Sequence, residues 1–368
     1  MCDFILVLLA LAAQTPVGSE VPSARAVLTS APTQGPQPLA RPSEDLVAVA
    51  DELASARFVL PTGVDTLYVL RGNDDEHLGI AAARVGDLDH DGVRDFVLGG
   101  LNGGYFLYGR PGRVRAYSAR SGHVLWEARG SDRGFRTGRG DAFGNAVAGV
   151  SDVDGDGTDD VAIGAFGWAA RGCVEICSGT DGRALALIHA VGLGSAAVLR
   201  GADLTLSDPA GGVGLEFGSY VRECSDLDRD GVRDLIVGQG WTRGDSESWW
   251  VFSSRSLSLL ASIRGAVIEE FVDGETAPTP PDPIWMRAGS PGSNEERVPE
   301  LTRVAPRLDA AAPAAFSTPG GIADHGRPPL FLGDVNGDGR DEWLFAEYEV
   351  SCAGRAWVFS APKTLETR

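Results

Sequence analysis

The chain has 368 residues, 43% of them hydrophobic and 23% charged, with a formal net charge of −19. That balance supplies a sizeable core and excludes wholesale disorder, and the acidity excludes a nucleic-acid binder, which needs clustered cations. The 49 glycines speak against a helix-rich fold, because each costs roughly 1 kcal/mol inside a helix, and point to many tight turns.

Residues 4–13 (FILVLLALAA) are an apolar run of ten, too short for a bilayer span of about 20 residues. The run fits the core of a secretory signal, with Ala10-Leu11-Ala12 as a small-x-small cleavage pattern. The segment before it departs from that pattern, carrying Asp3 and no Lys or Arg; the competing reading is a buried N-terminal strand or helix. We expect a signal peptide over 1–13, a Pro/Ala/Ser-rich linker over 14–57 and a folded domain over 58–368. Export follows as an expectation: secreted, periplasmic or cell-surface, with no membrane span once the signal is removed. Of 32 basic residues only Lys363 is lysine, which reads as the coding bias of a GC-rich bacterial genome.

Four segments of the domain carry one acidic pattern. They are Asp87-Leu-Asp89-His-Asp91-Gly92-Val93-Arg-Asp95, Asp152-Val-Asp154-Gly-Asp156-Gly157-Thr158-Asp-Asp160, Asp226-Leu-Asp228-Arg-Asp230-Gly231-Val232-Arg-Asp234 and Asp334-Val-Asn336-Gly-Asp338-Gly339-Arg340-Asp-Glu342. Their flanks repeat too. A Gly lies eight residues before each: Gly79, Gly144, Gly218 and Gly326, following Phe in the second and third copies. A three-residue apolar run follows each, closed by a small residue: Gly99, Gly164, Gly238 or Ala346. A second strand then ends in Ser: VRAYS to Ser118, VEICS to Ser178, WWVFS to Ser253 and AWVFS to Ser360. A third run follows in three copies, ending Arg-Gly at Arg129-Gly130 and Arg264-Gly265 and less clearly near Gly192, and 67–72 (LYVLRG) matches it. Each unit therefore reads as several short strands with Gly-rich turns. The longest interval holds 274–329, with 11 of the 21 prolines; it is a degenerate unit or, as we favour, an insertion.

The loops have the chemistry of a hard-cation site. Carboxylates at positions 1, 3 and 5 of a tight loop point inward together, Gly at position 6 permits the sharp turn, position 7 offers a carbonyl and position 9 adds a carboxylate. All-oxygen donors on a flexible loop suit Ca²⁺ better than Mg²⁺, and the absence of N/S donors disfavours zinc and copper. Of the 51 acidic residues 17 sit in these loops, and without them the net charge falls to about −2, so the acidity is local. The bland reading, that D-G and N-G clusters are only turns, is hard to reconcile with four copies in matched flanks. An EF-hand requires a Glu at position 12 and flanking helices; position 12 here is Leu98, Ile163, Val237 or Phe345.

The remaining residues give no catalytic signal. No H-E-x-x-H, G-x-S-x-G or Walker loop is present. His90 lies within the first loop, where its side chain is expected to point out. Trp249, Trp250, Trp343 and Trp357 fall on strands and read as core, whereas Trp126, Trp168, Trp241 and Trp285 lie nearer loops and are candidates for a binding face. Cys173 and Cys177 stand four apart on one strand, about 13 Å, too far to bridge each other; with Cys224 and Cys352 they read as buried thiols in preference to one or two disulfides.

The pattern resembles the FG-GAP repeat of integrin α subunits and of many bacterial exported proteins. Phe143-Gly144 and Phe217-Gly218 match the first half of that motif, and Gly164-Ala165 matches the second in part, without its Pro. The resemblance implies an all-β fold, a β-propeller of four-stranded blades, behind a disordered leader and with a Pro-rich insertion. Four units are clear and five the most, fewer than the seven usual in the family. It implies Ca²⁺ at up to four sites: Asp87, Asp89, Asp91, the Val93 carbonyl and Asp95; Asp152, Asp154, Asp156, the Thr158 carbonyl and Asp160; Asp226, Asp228, Asp230, the Val232 carbonyl and Asp234; and Asp334, Asn336, Asp338, the Arg340 carbonyl and Glu342, this last weaker for its Asn. The expected function is a calcium-stabilised, non-enzymatic module for a protein or glycan partner. A calcium-dependent polysaccharide lyase or phosphodiesterase is the alternative. The domain opens on a late strand of one unit and closes on an early one, an offset suited to a ring sealed by pairing its two ends.

Overall fold

The computed structural model describes residues 46–48, 64–101, 111–130, 140–168, 172–192, 195–200, 216–224, 226–239, 248–264, 266–270, 285–288, 330–348 and 353–360. All lie in the second of two units into which the chain divides, Leu39–Arg368. The signal and most of the linker and insertion therefore lie outside the described residues.

Four antiparallel sheets follow the four sequence repeats. The first blade comprises β3 (Ala81–Arg84), β4 (Phe96–Gly100), β5 (Arg113–Tyr117) and β6 (Val124–Arg129). The second comprises β7 (Phe143–Val150), β8 (Asp160–Ala165), β9 (Cys173–Cys177), β10 (Ala184–Gly192) and an added β11 (Ser195–Arg200). In the third, β12 (Phe217–Cys224), β13 (Asp234–Gln239), β14 (Ser248–Phe252) and β15 (Leu259–Arg264) pair in order.

The fourth sheet is assembled from both ends of the described region. In it β18 (Leu330–Gly333), β19 (Glu342–Glu347) and β20 (Arg355–Ser360) are completed by β2 (Thr66–Arg71) and β1 (Leu46–Val47). The register pairs Val69 with Trp357 and Leu70 with Ala356. The early LYVLRG segment thus supplies the outer strand that the last repeat lacks, as its resemblance to a third run implies. A separate two-stranded sheet pairs β16 (Ala266–Glu270) with β17 (Trp285–Ala288).

The middle strands β4, β8 and β13 are buried along their whole length, so they lack the in-out alternation of a half-exposed sheet. The first strands of successive blades face one another: β18 against β3, β3 against β7, β7 against β12. The core is correspondingly a series of layers. Val97, Val114, Phe143, Val161 and Ile163 fill the space between the first and second blades, and Ala162, Val174, Phe217, Leu235 and Trp250 that between the second and third.

The repeated Phe-Gly is the joint between blades. Residues 77–80, 142–145 and 216–219 are tight turns closed by Ile80, Asn145 and Ser219 amides donating to the His77, Ala142 and Glu216 carbonyls, each at 3.2 Å. Their third residues, Gly79, Gly144 and Gly218, have φ of 89°, 85° and 85°, as a type II turn requires. The second residue, Leu78, Phe143 or Phe217, is buried and packs into the preceding blade. Gly99 and Gly164, near the ends of β4 and β8, receive the turns at Gly144 and Gly218, and Ala346 of β19 receives the turn at Gly79.

Candidate metal centres

Each acidic loop joins the first strand of its blade to the second, and its own amides shape it. The position 1 carboxylate accepts from the position 5 amide through Oδ1 and from the position 6 Gly amide through Oδ2. For Asp87 these bonds are 3.0 and 2.9 Å, for Asp152 3.1 and 2.9 Å, for Asp226 3.2 and 2.9 Å, for Asp334 3.1 and 2.9 Å. Oδ1 of Asp89, Asp154, Asp228 or Asn336 shares the position 5 amide. The position 5 Oδ1 accepts from the position 7 amide at 2.8–2.9 Å. The position 6 glycines are demanded by conformation, not space: φ runs from 81° to 94° at Gly92, Gly157, Gly231 and Gly339, while a Cβ on any of them would meet nothing within 4 Å.

Position 9 opens the next strand and is fully buried in all four copies: Asp95, Asp160, Asp234 and Glu342. Its carboxylate ties the loop to the blade. Asp95 accepts from the Leu88 amide at 2.8 Å and the Ala119 amide at 3.0 Å; Asp160 accepts from Val153 at 2.8 Å and Gly179 at 2.9 Å. Asp234 and Glu342 repeat the first bond with Leu227 and Val335. Burial lifts the Asp95 carboxyl to about 7, with Asp89 and Asp91 adding to the effect and the two amides opposing it. Burial likewise lifts Asp160 to about 6, and raises Asp234 and Glu342. A buried anion beside other anions calls for a cation.

Carboxylate oxygens converge in three loops. One oxygen each from Asp87, Asp89 and Asp95, from Asp152, Asp154 and Asp160, and from Asp226, Asp228 and Asp230 lie within 4.8 Å of one another. In the third loop the buried Asp234 also has an Oδ1 without a hydrogen-bond partner, the Ser254 backbone bearing on the carboxylate only weakly. Oxygen-only donors, close convergence and an orphaned buried carboxylate oxygen fit a hard divalent ion. Leu98, Ile163, Val237 and Phe345 are buried strand residues, so these are strand-loop-strand sites.

Two features escape the sequence reading. Position 5 is doubly engaged. Its second oxygen receives Arg120 Nε in the first loop (2.9 Å), Thr180 Oγ1 in the second (2.7 Å), Arg255 Nε in the third (3.0 Å) and Arg340 Nε and Nη2 in the fourth (3.1 and 2.8 Å). In the first two loops the carboxylates that converge are those of positions 1, 3 and 9. A signal for this existed: Arg120, Thr180 and Arg255 each stand two residues after the strand-ending Ser118, Ser178 and Ser253. The second feature is His90. It is exposed, as expected, and its Nε2 also lies 3.3 Å from Thr158 Oγ1 of the next loop.

Trp126 and Trp168 do not mark a binding face. Both are buried, and Trp126 donates its indole N–H to the Gly179 carbonyl of the second blade at 2.6 Å. Trp241 and the Trp285 side chain lie outside the described residues. Cys173, Cys177 and Cys224 are buried free thiols; Cys352 lies outside the described residues. Among the described residues no helix is long and apolar enough to cross a membrane.

No protein-family model matches the chain. Over 241 residues it is 33% identical to integrin alpha-V of Gallus gallus, a stretch covering 65% of this chain and 21% of that protein. The chain thus spans about a fifth of the length of this relative. That similarity agrees with the FG-GAP-like repeat and the blade architecture, and lends no support to the lyase or phosphodiesterase alternative.

Proposed function

We propose that the protein is an exported calcium-binding β-propeller that serves as an interaction module for a protein or glycan partner, with calcium in a structural role. The observation that carries this reading is the threefold convergence of carboxylate oxygens, each set including or adjoining a buried position 9 carboxylate that has no ion-pair partner among the described residues. Calcium would be held by the position 1, 3 and 9 carboxylates, with position 5 and the position 7 carbonyl completing the shell. It would tie the first strand of each blade to the second and to the following hairpin. The likeness to an integrin α chain supports both the non-enzymatic reading and placement outside the cytoplasm. Extracellular modules hold calcium at about 10⁻⁴ to 10⁻³ M. Calcium at 100 times its Kd adds about 2.7 kcal/mol per site.

An array of polysaccharides and extracellular proteins probed in calcium and in chelator tests the reading. Calcium-dependent retention without turnover supports it. Calcium-dependent cleavage of a polysaccharide or phosphodiester overturns the non-enzymatic assignment.

A further inference from the structure

Resting on the calcium reading above, we infer that Arg120, Arg183, Arg255 and Arg340 are tethered counter-cations: they hold the ion-free loops in shape and compete with calcium for the same carboxylates, setting its affinity below what the acidic residues alone provide.

The pattern recurs in every loop by more than one route, which sets it apart from an incidental surface pair. In the first and third blades the arginine comes from the turn joining the third strand to the fourth. Arg120 Nε reaches Asp91 Oδ2 at 2.9 Å and Arg255 Nε reaches Asp230 Oδ2 at 3.0 Å. In the second blade the equivalent residue is Thr180, which satisfies Asp156 but brings no charge. There Arg183, three residues further along the same turn, places Nη2 against Oδ2 of Asp154, a member of the converging triad. The fourth loop has no such turn, because its third and fourth strands, β20 and β2, come from opposite ends of the described region. Arg340 within the loop takes the role, bonding Asp338 Oδ2 at 2.8 Å and reaching across to Asp65 Oδ2 at 3.0 Å, just before β2. A guanidinium thus meets the acidic loop even where topology removes its usual source.

The physical consequence has a sign. A guanidinium neutralises part of the repulsion among clustered carboxylates when no ion is present. Once a divalent ion enters, the same charge a few ångströms away opposes it. A unit charge about 6 Å from a divalent ion at the dielectric of water changes affinity roughly tenfold, and less in salt. Arg120, Arg183 and Arg255 are about half exposed, so the water-like dielectric is the right one and the expected effect is roughly three- to tenfold per site. A purely structural clamp on a ligand has the opposite sign, since releasing it loosens the site.

The test is calcium titration by calorimetry at low salt on the full chain, wild type against R120Q, R255Q, R120Q/R255Q and the matching Arg→Lys variants, with melting temperatures in chelator. The Gln variants are expected to bind calcium about three- to tenfold more tightly at the altered sites, with ion-free melting lowered by up to about 4 °C per pair. The Lys variants, keeping the charge, are expected to stay near wild-type affinity. Unchanged or weaker calcium binding in the Gln variants, while wild type binds, overturns this inference alone. A wild type that takes up no calcium overturns the calcium reading and this inference with it.

Discussion

The carbonyl oxygen of Gly144 occupies the space a side chain on Gly99 would need: a Cβ built there lies 1.9 Å from it. Gly99 is near the end of β4 in the first blade, and Gly144 is the third residue of the turn that starts the second. Gly164 and the Gly218 carbonyl repeat the relationship at 2.2 Å. Backbone meets backbone here, so neither side can yield by rotating a side chain. Gly99→Ala is expected to cost about 3 kcal/mol or more in denaturant unfolding. Gly92→Ala, in open space with a φ of 89°, is expected to cost only about 1–2 kcal/mol.

The first blade buries an ion pair at the end away from its acidic loop. Glu76 is fully buried and Arg115 nearly so, with Nη1 2.6 Å and Nη2 3.2 Å from the two Glu76 oxygens, and Arg115 Nε bonding Glu127 at 3.0 Å. Removing Arg115 leaves the buried Glu76 carboxylate with only the Asn73 amide groups and the more distant Arg113 guanidinium, 3.9 Å away. Arg115→Met is therefore expected to lower stability by about 3–5 kcal/mol. Combining it with Glu76→Leu is expected to recover most of that loss, and a double variant no better than the single one contradicts the pairing.

Acid should strengthen the ion-free protein. The folded-state carboxyls of Asp95 and Asp160 sit at about 7 and about 6, against a reference value of 3.8, chiefly because of burial. A raised folded value means the folded state binds protons more tightly. The associated stability is present in full below the reference value and is lost as pH rises through 6 to 7. In chelator the melting temperature is expected to be higher at pH 5.5 than at pH 8. Calcium bound as proposed would replace those protons, so saturating calcium is expected to reduce or reverse the difference.

Substitutions within the loops should act on ion binding. Asp154→Ala and Asp228→Ala each remove one member of a converging triad and leave its neighbours poorly compensated; each is expected to abolish one calcium equivalent in a titration. Asn336→Asp gives the fourth loop the carboxylate that the others carry at position 3, and is expected to tighten any calcium binding there.

Local spacing was legible in the sequence, and spatial neighbourhood was not. The 1-3-5-6-9 pattern placed each carboxylate in a strand-loop-strand corner because the carboxylate-to-amide bonds within each loop run between residues two to seven apart. The offset of LYVLRG foretold the pairing of β2 with β20 because an incomplete repeat at each end leaves complementary strands. The engagement of Asp91 by Arg120 runs across 29 residues of chain. It depends on two hairpins emerging at the same end of a sheet; the sequence marks only that Arg120, Thr180 and Arg255 recur two residues after a strand-ending Ser, not the neighbour each one meets. Trp126 looked available because it stands near a turn, yet its ring is covered by the neighbouring blade, whose Gly182 backs onto it. His90 likewise finds its partner on another blade.

The most direct test of the account is the thermal unfolding of the full chain in millimolar calcium and in excess chelator, beside a variant carrying Asp154→Ala and Asp228→Ala. The account predicts a clear rise of the wild-type midpoint with calcium, and a smaller rise in the variant. A wild-type midpoint that does not move between calcium and chelator contradicts it.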